Sequence, residues 1–279
     1  MCEPKRPRLS RRKLTLLMIA FAILYISAVM IFGSLSSAAA VKTSFLTKNL
    51  PPDLSHPLGT DWMGRDMLAR TLKGLSLSCV IGLGASAVSA LLALVLGVAA
   101  ASLGGKIDAV VSWAVDVVMG IPHLMLLMLI SFALGKGLFG VTVAVAVSHW
   151  PTLTRVIRAE IVQLRQSAFI QTARKLGQSK LSIARRHMLP HVFPQLLVGL
   201  ILLFPHAILH EAAVTFLGFG LSPEQPGIGI ILSESMRYLA LGYWWLCLFP
   251  GLALLATVLV FDRLGASVRR LIDPHSAQE

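Results

Sequence analysis

Five side chains that could do chemistry lie inside apolar stretches, where ionisable groups are costly: His123, His149, His206, His210 and Glu211. His206 and His210 are four residues apart, which puts both imidazoles on one face of a helix. Two neutral imidazoles and a nearby carboxylate offer transient ligands to a soft or borderline divalent cation such as nickel. A transport path calls for weak, incomplete coordination, so His206 and His210 are candidate metal ligands. With Glu211 they are also candidates for lining a path, and His123 and His149 are further candidates. Each histidine has a plainer alternative, a hydrogen bond to a neighbouring helix.

Other chemistry is excluded by spacing. HEAAV at 210–214 begins like a zinc-protease helix but carries Val214 where the second histidine is required. Neither Gly105-Lys106 nor Gly135-Lys136 has a glycine five residues before its own glycine, so no phosphate-binding loop is present and the chain has no ATPase site of its own. Cys2, Cys79 and Cys247 are scattered and imply neither a disulfide framework nor a thiolate metal site.

The elements that must position these residues follow from composition. Of the 279 residues 56% are hydrophobic and 14% charged, against roughly 45–50% and 25% in soluble domains. Apolar stretches long enough to cross a bilayer recur near 14–36, 77–103, 109–134, 138–158, 192–220 and 243–264. None alternates in polarity as barrel strands do. The expectation is an all-α integral membrane protein with about six transmembrane helices.

Orientation follows from Lys and Arg, which concentrate in cytoplasmic loops. With both termini cytoplasmic, the inner segments hold 18 of the 25 basic residues: six in 1–13, Lys106, eight in 155–187 and three in 263–270. The net charge of +12 is thereby explained at helix ends, and nucleic acid is not an expected partner, whereas membrane lipid is. The chain divides into a basic cytoplasmic tail (1–13), a first transmembrane helix (14–36), an external segment (37–74), a five-helix core (75–265) and a cytoplasmic tail (266–279). In the external segment, Asp61, Arg65 and Asp66 read as a local salt-bridged turn.

The longest inner segment, 159–190, mixes charged residues with Ile161, Leu164, Phe169, Leu176, Leu181 and Ile183, a pattern of short amphipathic helices broken near Gly177. Such helices lie on a surface or dock into a partner's groove. A plain connector needs only a few residues, so docking is the favoured expectation.

Two segments carry a resemblance. HPLGTDWMGRDMLART at 56–71 resembles the PLGTDxxGRD signature of the permease subunits of dipeptide, oligopeptide and nickel ABC importers. QTARKLGQSKLSIARRHMLP at 171–190 resembles the EAA loop that such permeases present to their ATPases. The likeness runs from about residue 56 to Pro274, taking in AVTFLGFGL at 213–221 and FDRLGASVRRLIDP at 261–274. It departs from the pattern at Gln171, where the family has glutamate, which removes any role needing a carboxylate there.

The resemblance implies a type I ABC importer permease in a bacterial inner membrane. Its implied partners are a second homologous permease subunit, two nucleotide-binding ATPase subunits and an external substrate-binding protein. No cofactor is implied for this chain, since ATP and Mg are used by the ATPases. Gln171, Thr172, Ala173, Arg174, Lys175, Gly177, Leu189 and Pro190 are implied to couple to the ATPase. PHAILHEAAVTFLGFGL at 205–221 resembles the histidine-bearing fifth helix of nickel permeases, which makes nickel or a nickel chelate the expected cargo, with a di- or oligopeptide as the alternative.

Overall fold

A computed structural model describes residues 11–36 and 42–272; the expectations for the two tails fall largely on 1–10 and 273–279, outside these. The helices are α1 (Arg11–Leu35), α2 (Met67–Leu103), α3 (Gly105–Gly120), α4 (His123–Ala133), α5 (Gly137–Ser148) and α6 (Trp150–Leu164). The short α7 (Ala168–Lys175) and α8 (Lys180–Ile183) follow, then α9 (Leu189–Phe216), α10 (Ile228–Leu239) and α11 (Trp245–Ile272). Among the described residues there is no strand, only one isolated bridge between Thr60 and Asp66.

Four helices are long and apolar enough to cross a bilayer unaided: α1, α2, the helical stretch ending in α9, and α11. The run expected at 109–134 is bent by 97° between α3 and α4. The run expected at 138–158 is divided between α5 and α6 at His149. Both breaks carry proline, Pro122 and Pro151, which lacks an N–H and disfavours helix in the residue before it.

Contacts between loops show that each divided run still joins the two ends of the bundle. At one end the α4–α5 turn meets the α9–α10 connection, with Lys136 Nζ donating to Gly218 O (3.2 Å) and Gly137 N to Gly220 O (2.8 Å). At the other, Arg158 of α6 holds Asp108 of α3 through both guanidinium arms, and Arg165 Nη1 donates to Ala101 O (2.6 Å). Four continuous helices and two broken ones therefore make six crossings.

The 37-residue α2 is the axis of the bundle, packing against α1, α5, α6 and α9. It permits this closeness through small residues, as membrane helix interfaces do. A Cβ on Gly97 would come within 2.9 Å of Ile157 on α6, and one on Gly82 within 2.6 Å of Ile208 on α9. Tyr25 and Thr257 share a 2.8 Å hydroxyl hydrogen bond that ties α1 to α11. The outward faces of α1, with Leu14, Leu17, Leu24 and Phe32, are exposed and apolar, as surfaces meeting acyl chains or another membrane subunit must be.

Candidate functional site

At the two helix breaks the bundle forms an open cavity of about 570 Å³. Four histidines line it, together with Gly120, Pro122, Ser148, Pro151 and Thr152. Three come into ring contact: His123 to His149 at 4.7 Å between centroids, His123 to His210 at 4.5 Å and His149 to His210 at 5.1 Å. One ligand nitrogen from each lies within 4.8 Å of the other two.

Their positions follow from local structure. His123 is the first residue of α4, immediately beyond the bend, and His149 is the residue at which α5 gives way to α6. His210 sits on α9, whose interior Pro205 is a further weak point in that helix's hydrogen bonding. His149 is held by a 2.8 Å contact from Nδ1 to the Val145 carbonyl, one turn back, and Ser148 Oγ is 3.0 Å from the same nitrogen. A carbonyl can only accept, so Nδ1 carries the proton and Nε2 keeps its lone pair. His149 Nε2 and His123 Nε2 are both buried with no hydrogen-bond partner in the protein.

The expected pair His206 and His210 is divided by this arrangement. Both line the cavity, but His206 is exposed and stays outside the three-ring cluster. Glu211, next to His210, is about 100° further round the helix. Its carboxyl is fully buried away from the cavity lining and accepts from Thr215 Oγ1 at 2.9 Å.

The segment around Gly177 has the expected break between short helices. Gly177 has φ of +79°, Gly177 N donates to Arg174 O and Gln178 N to Ala173 O, the paired bonds that close a helix on a left-handed residue. Ile170, Ala173, Ile183 and Met188 are buried against the bundle. Gln171, Thr172, Arg174, Lys175, Leu189 and Pro190 are exposed, and so are Leu176 and Leu181 at 76% and 79%. This surface is cationic with two projecting leucines.

At the opposite end, the salt-bridged turn reaches further than its own segment. Asp61 accepts from Arg65 Nε and Arg70 Nη1, both at 2.6 Å, and from the backbone N–H groups of Met63 and Arg65. Arg65 and Arg70 also reach Glu234 of α10, at 3.2 and 3.0 Å. Asp66 caps α2 by accepting from Ala69 N, with His56 Nδ1 2.8 Å from its other oxygen. Arg70 and Glu234 were missed by sequence reasoning, although an arginine in an apolar helix was the signal for a buried partner.

Crossings that break around an open, histidine-bearing cavity, with an amphipathic segment packed at one end of the bundle, are an arrangement that membrane transport subunits use. Residues 93–275 match the family described as binding-protein-dependent transport system inner membrane component, and the chain belongs to that family. It is 29% identical to the dipeptide transport system permease protein DppC of Bacillus subtilis (strain 168), over 96% of this chain and 83% of that protein. It is 32% identical to the nickel transport system permease protein NikC of Escherichia coli (strain K12), over 82% of this chain and 83% of that one. Relatives named for peptides outnumber those named for nickel. The fold also matches a chain of the inward-facing MetNI methionine ABC transporter, with a TM-score of 0.62 at 19% identity, covering 74% of this chain and 98% of that one.

Proposed function

We propose that this ABC importer permease subunit forms half of the translocation path for nickel ion or a nickel chelate. The observation that carries this reading is the cavity at the helix breaks with His123, His149, His206 and His210 on its wall. Neutral imidazole suits nickel, copper, zinc and iron, and hard ions such as magnesium want oxygen ligands instead.

In this reading a second homologous permease completes the path, two ATPase subunits bind and hydrolyse ATP with Mg, and an external binding protein delivers the cargo. The surface around Gly177, with Gln171 to Lys175, Leu176, Leu181, Leu189 and Pro190, docks on the ATPase. Closure of the ATPases moves α7 and α8, and their buried face transmits the motion to α2 and α6, with which Ile170, Ala173 and Ile183 share a core. The chain has both termini in the cytoplasm.

A di- or oligopeptide is the second reading, favoured by the more numerous relatives named for peptides and by a cavity wider than a bare ion needs. The test is ATP-dependent uptake of radioactive nickel by proteoliposomes carrying the whole importer, with a dipeptide as competitor. Accumulation of nickel, indifferent to dipeptide, is the expected result; dipeptide uptake without nickel uptake overturns the reading.

A further inference from the structure

The cavity's four histidines are not equivalent. His123 of α4, His149 of the α5–α6 junction and His210 of α9 converge, whereas His206 lies outside their cluster. Two of the converging rings present buried nitrogens that have no protein partner. Burying an unpaired polar atom costs free energy, so two such nitrogens converging on His210 ask for a common partner. Mutual hydrogen bonds do not supply it, for none is formed among the three rings.

We propose that His123, His149 and His210 together bind one borderline divalent cation at the junction of the two broken crossings. For its cargo, nickel, this rests on the importer reading above; for its ligands it does not. His149 coordinates through Nε2, its tautomer set by the Val145 carbonyl in the manner of an outer-shell partner that fixes a metal-binding ring. Imidazole nitrogens bind such ions at about 2.0–2.1 Å, which places two ligands on one ion roughly 3.3 Å apart, so separations up to 4.8 Å close by small ring rotations.

Three neutral donors leave coordination positions open toward the cavity, where water, a small chelator or His206 can enter. An open set also suits release. His123 and His149 stand on opposite sides of hinges, so bending either crossing separates the ligands and lowers affinity in the same movement that changes access. Two half-helices end at the site, α3 at Gly120 and α5 at Ser148, and the negative ends of their dipoles favour a cation. The two that begin there carry Pro122 at the cap of α4 and Pro151 as the second residue of α6, each lacking one N–H that would oppose it.

The test is calorimetric titration of the complete importer complex, in detergent and without ATP, with nickel chloride. One ion is expected per copy of this chain. His123→Ala, His149→Ala and His210→Ala should each weaken binding at least about tenfold, and His206→Ala should cost less than any of them. His149→Gln puts a polar amide in place of the imidazole and serves if the alanine variant fails to assemble; it too should weaken binding. Assembly is followed by basal ATPase rate and size exclusion. A complex that binds no nickel, or one in which His206→Ala costs the most, overturns the site. Nickel uptake undiminished in assembled His149→Gln and His210→Ala importers also overturns the site while leaving the nickel reading intact. Nickel bound through the three histidines by a complex that imports only dipeptide overturns the nickel reading and leaves the site standing.

Discussion

Arg70, in the first turn of α2, is 3% exposed, and its charge is tolerated because Asp61 and Glu234 both accept from it. Removing one member of a buried pair leaves the others unpaired, at a cost of about 3–5 kcal/mol. Arg70→Met should therefore lower the thermal stability of the purified complex sharply, since Asp61 is equally buried and Arg65 alone must then neutralise two carboxylates. Arg70→Met with Asp61→Asn should cost less than the sum of the single changes, because the groups act as one network. Thermal unfolding of the three variants checks this, and simple additivity would show that the pair is not coupled. The reach of this network to Glu234 was not legible, since residues 70 and 234 are joined only by the fold. Glu211 is different: its neighbour His210 faces the cavity, and one step along a helix turns a side chain by about 100°. The sequence groups Glu211 with His206 and His210 as a path-lining candidate, whereas the structure buries its carboxyl outside the cavity lining, against Thr215 one turn on.

The amphipathic segment and the broken crossings differ in how openly the sequence announces them. Around Gly177 the glycine, the mixed polarity and the basic residues state a helix end directly, and the structure places a left-handed residue there. Gly177→Ala meets no atom within 4 Å and costs only the penalty of a left-handed backbone, about 1–2 kcal/mol. Gly177→Pro demands φ near −65° and deletes the N–H that bonds Arg174 O. ATP-dependent uptake should persist in the first variant and fall roughly tenfold or more in the second; intact uptake with proline would sink the coupling role. The crossings at 109–134 and 138–158 read as unbroken because hydropathy does not register a bend, and only Pro122 and Pro151 hinted at one. Spacing of four residues then paired His206 with His210, whereas the breaks bring His123 and His149 to His210 instead. Pro122→Ala removes the restriction that helps hold α3 from α4 and should weaken nickel binding about tenfold although every histidine remains. Titration of that variant with nickel chloride decides it: unchanged affinity means the bend does not position His123.

At the scale of the whole molecule, the six apolar runs were legible because each is bounded by charge or turn residues, but length and hydropathy alone credit only four continuous helices and one bent pair. A bent pair can cross the membrane or double back, and the two alternatives differ in where its ends lie. Asp108, near the start of α3, is held by Arg158, while Ser131 Oγ, near the end of α4, donates to Phe219 O at 2.6 Å. Those partners belong to opposite ends of α9, since Met188 packs with Ser102 at one end and Phe219 follows the helix at the other. The pair therefore crosses, and α5 with α6 returns. The proposed orientation, with the basic segments inside, predicts that Lys106 and Leu176 face the cytoplasm and that Leu54 and Leu134 face outward. All four positions are exposed. Single cysteines placed there in a cysteine-free background should separate cleanly: a membrane-impermeant maleimide applied to intact cells should label 54 and 134, and should reach 106 and 176 only after the membrane is opened. Labelling of 106 and 134 from the same side would mean that α3 and α4 double back, whereas labelling with the two sides exchanged would keep six crossings and reverse the orientation. Only the expected pattern places the surface around Gly177 where an ATPase can reach it while leaving Asp61, Arg70 and Glu234 on the side from which an external protein delivers cargo.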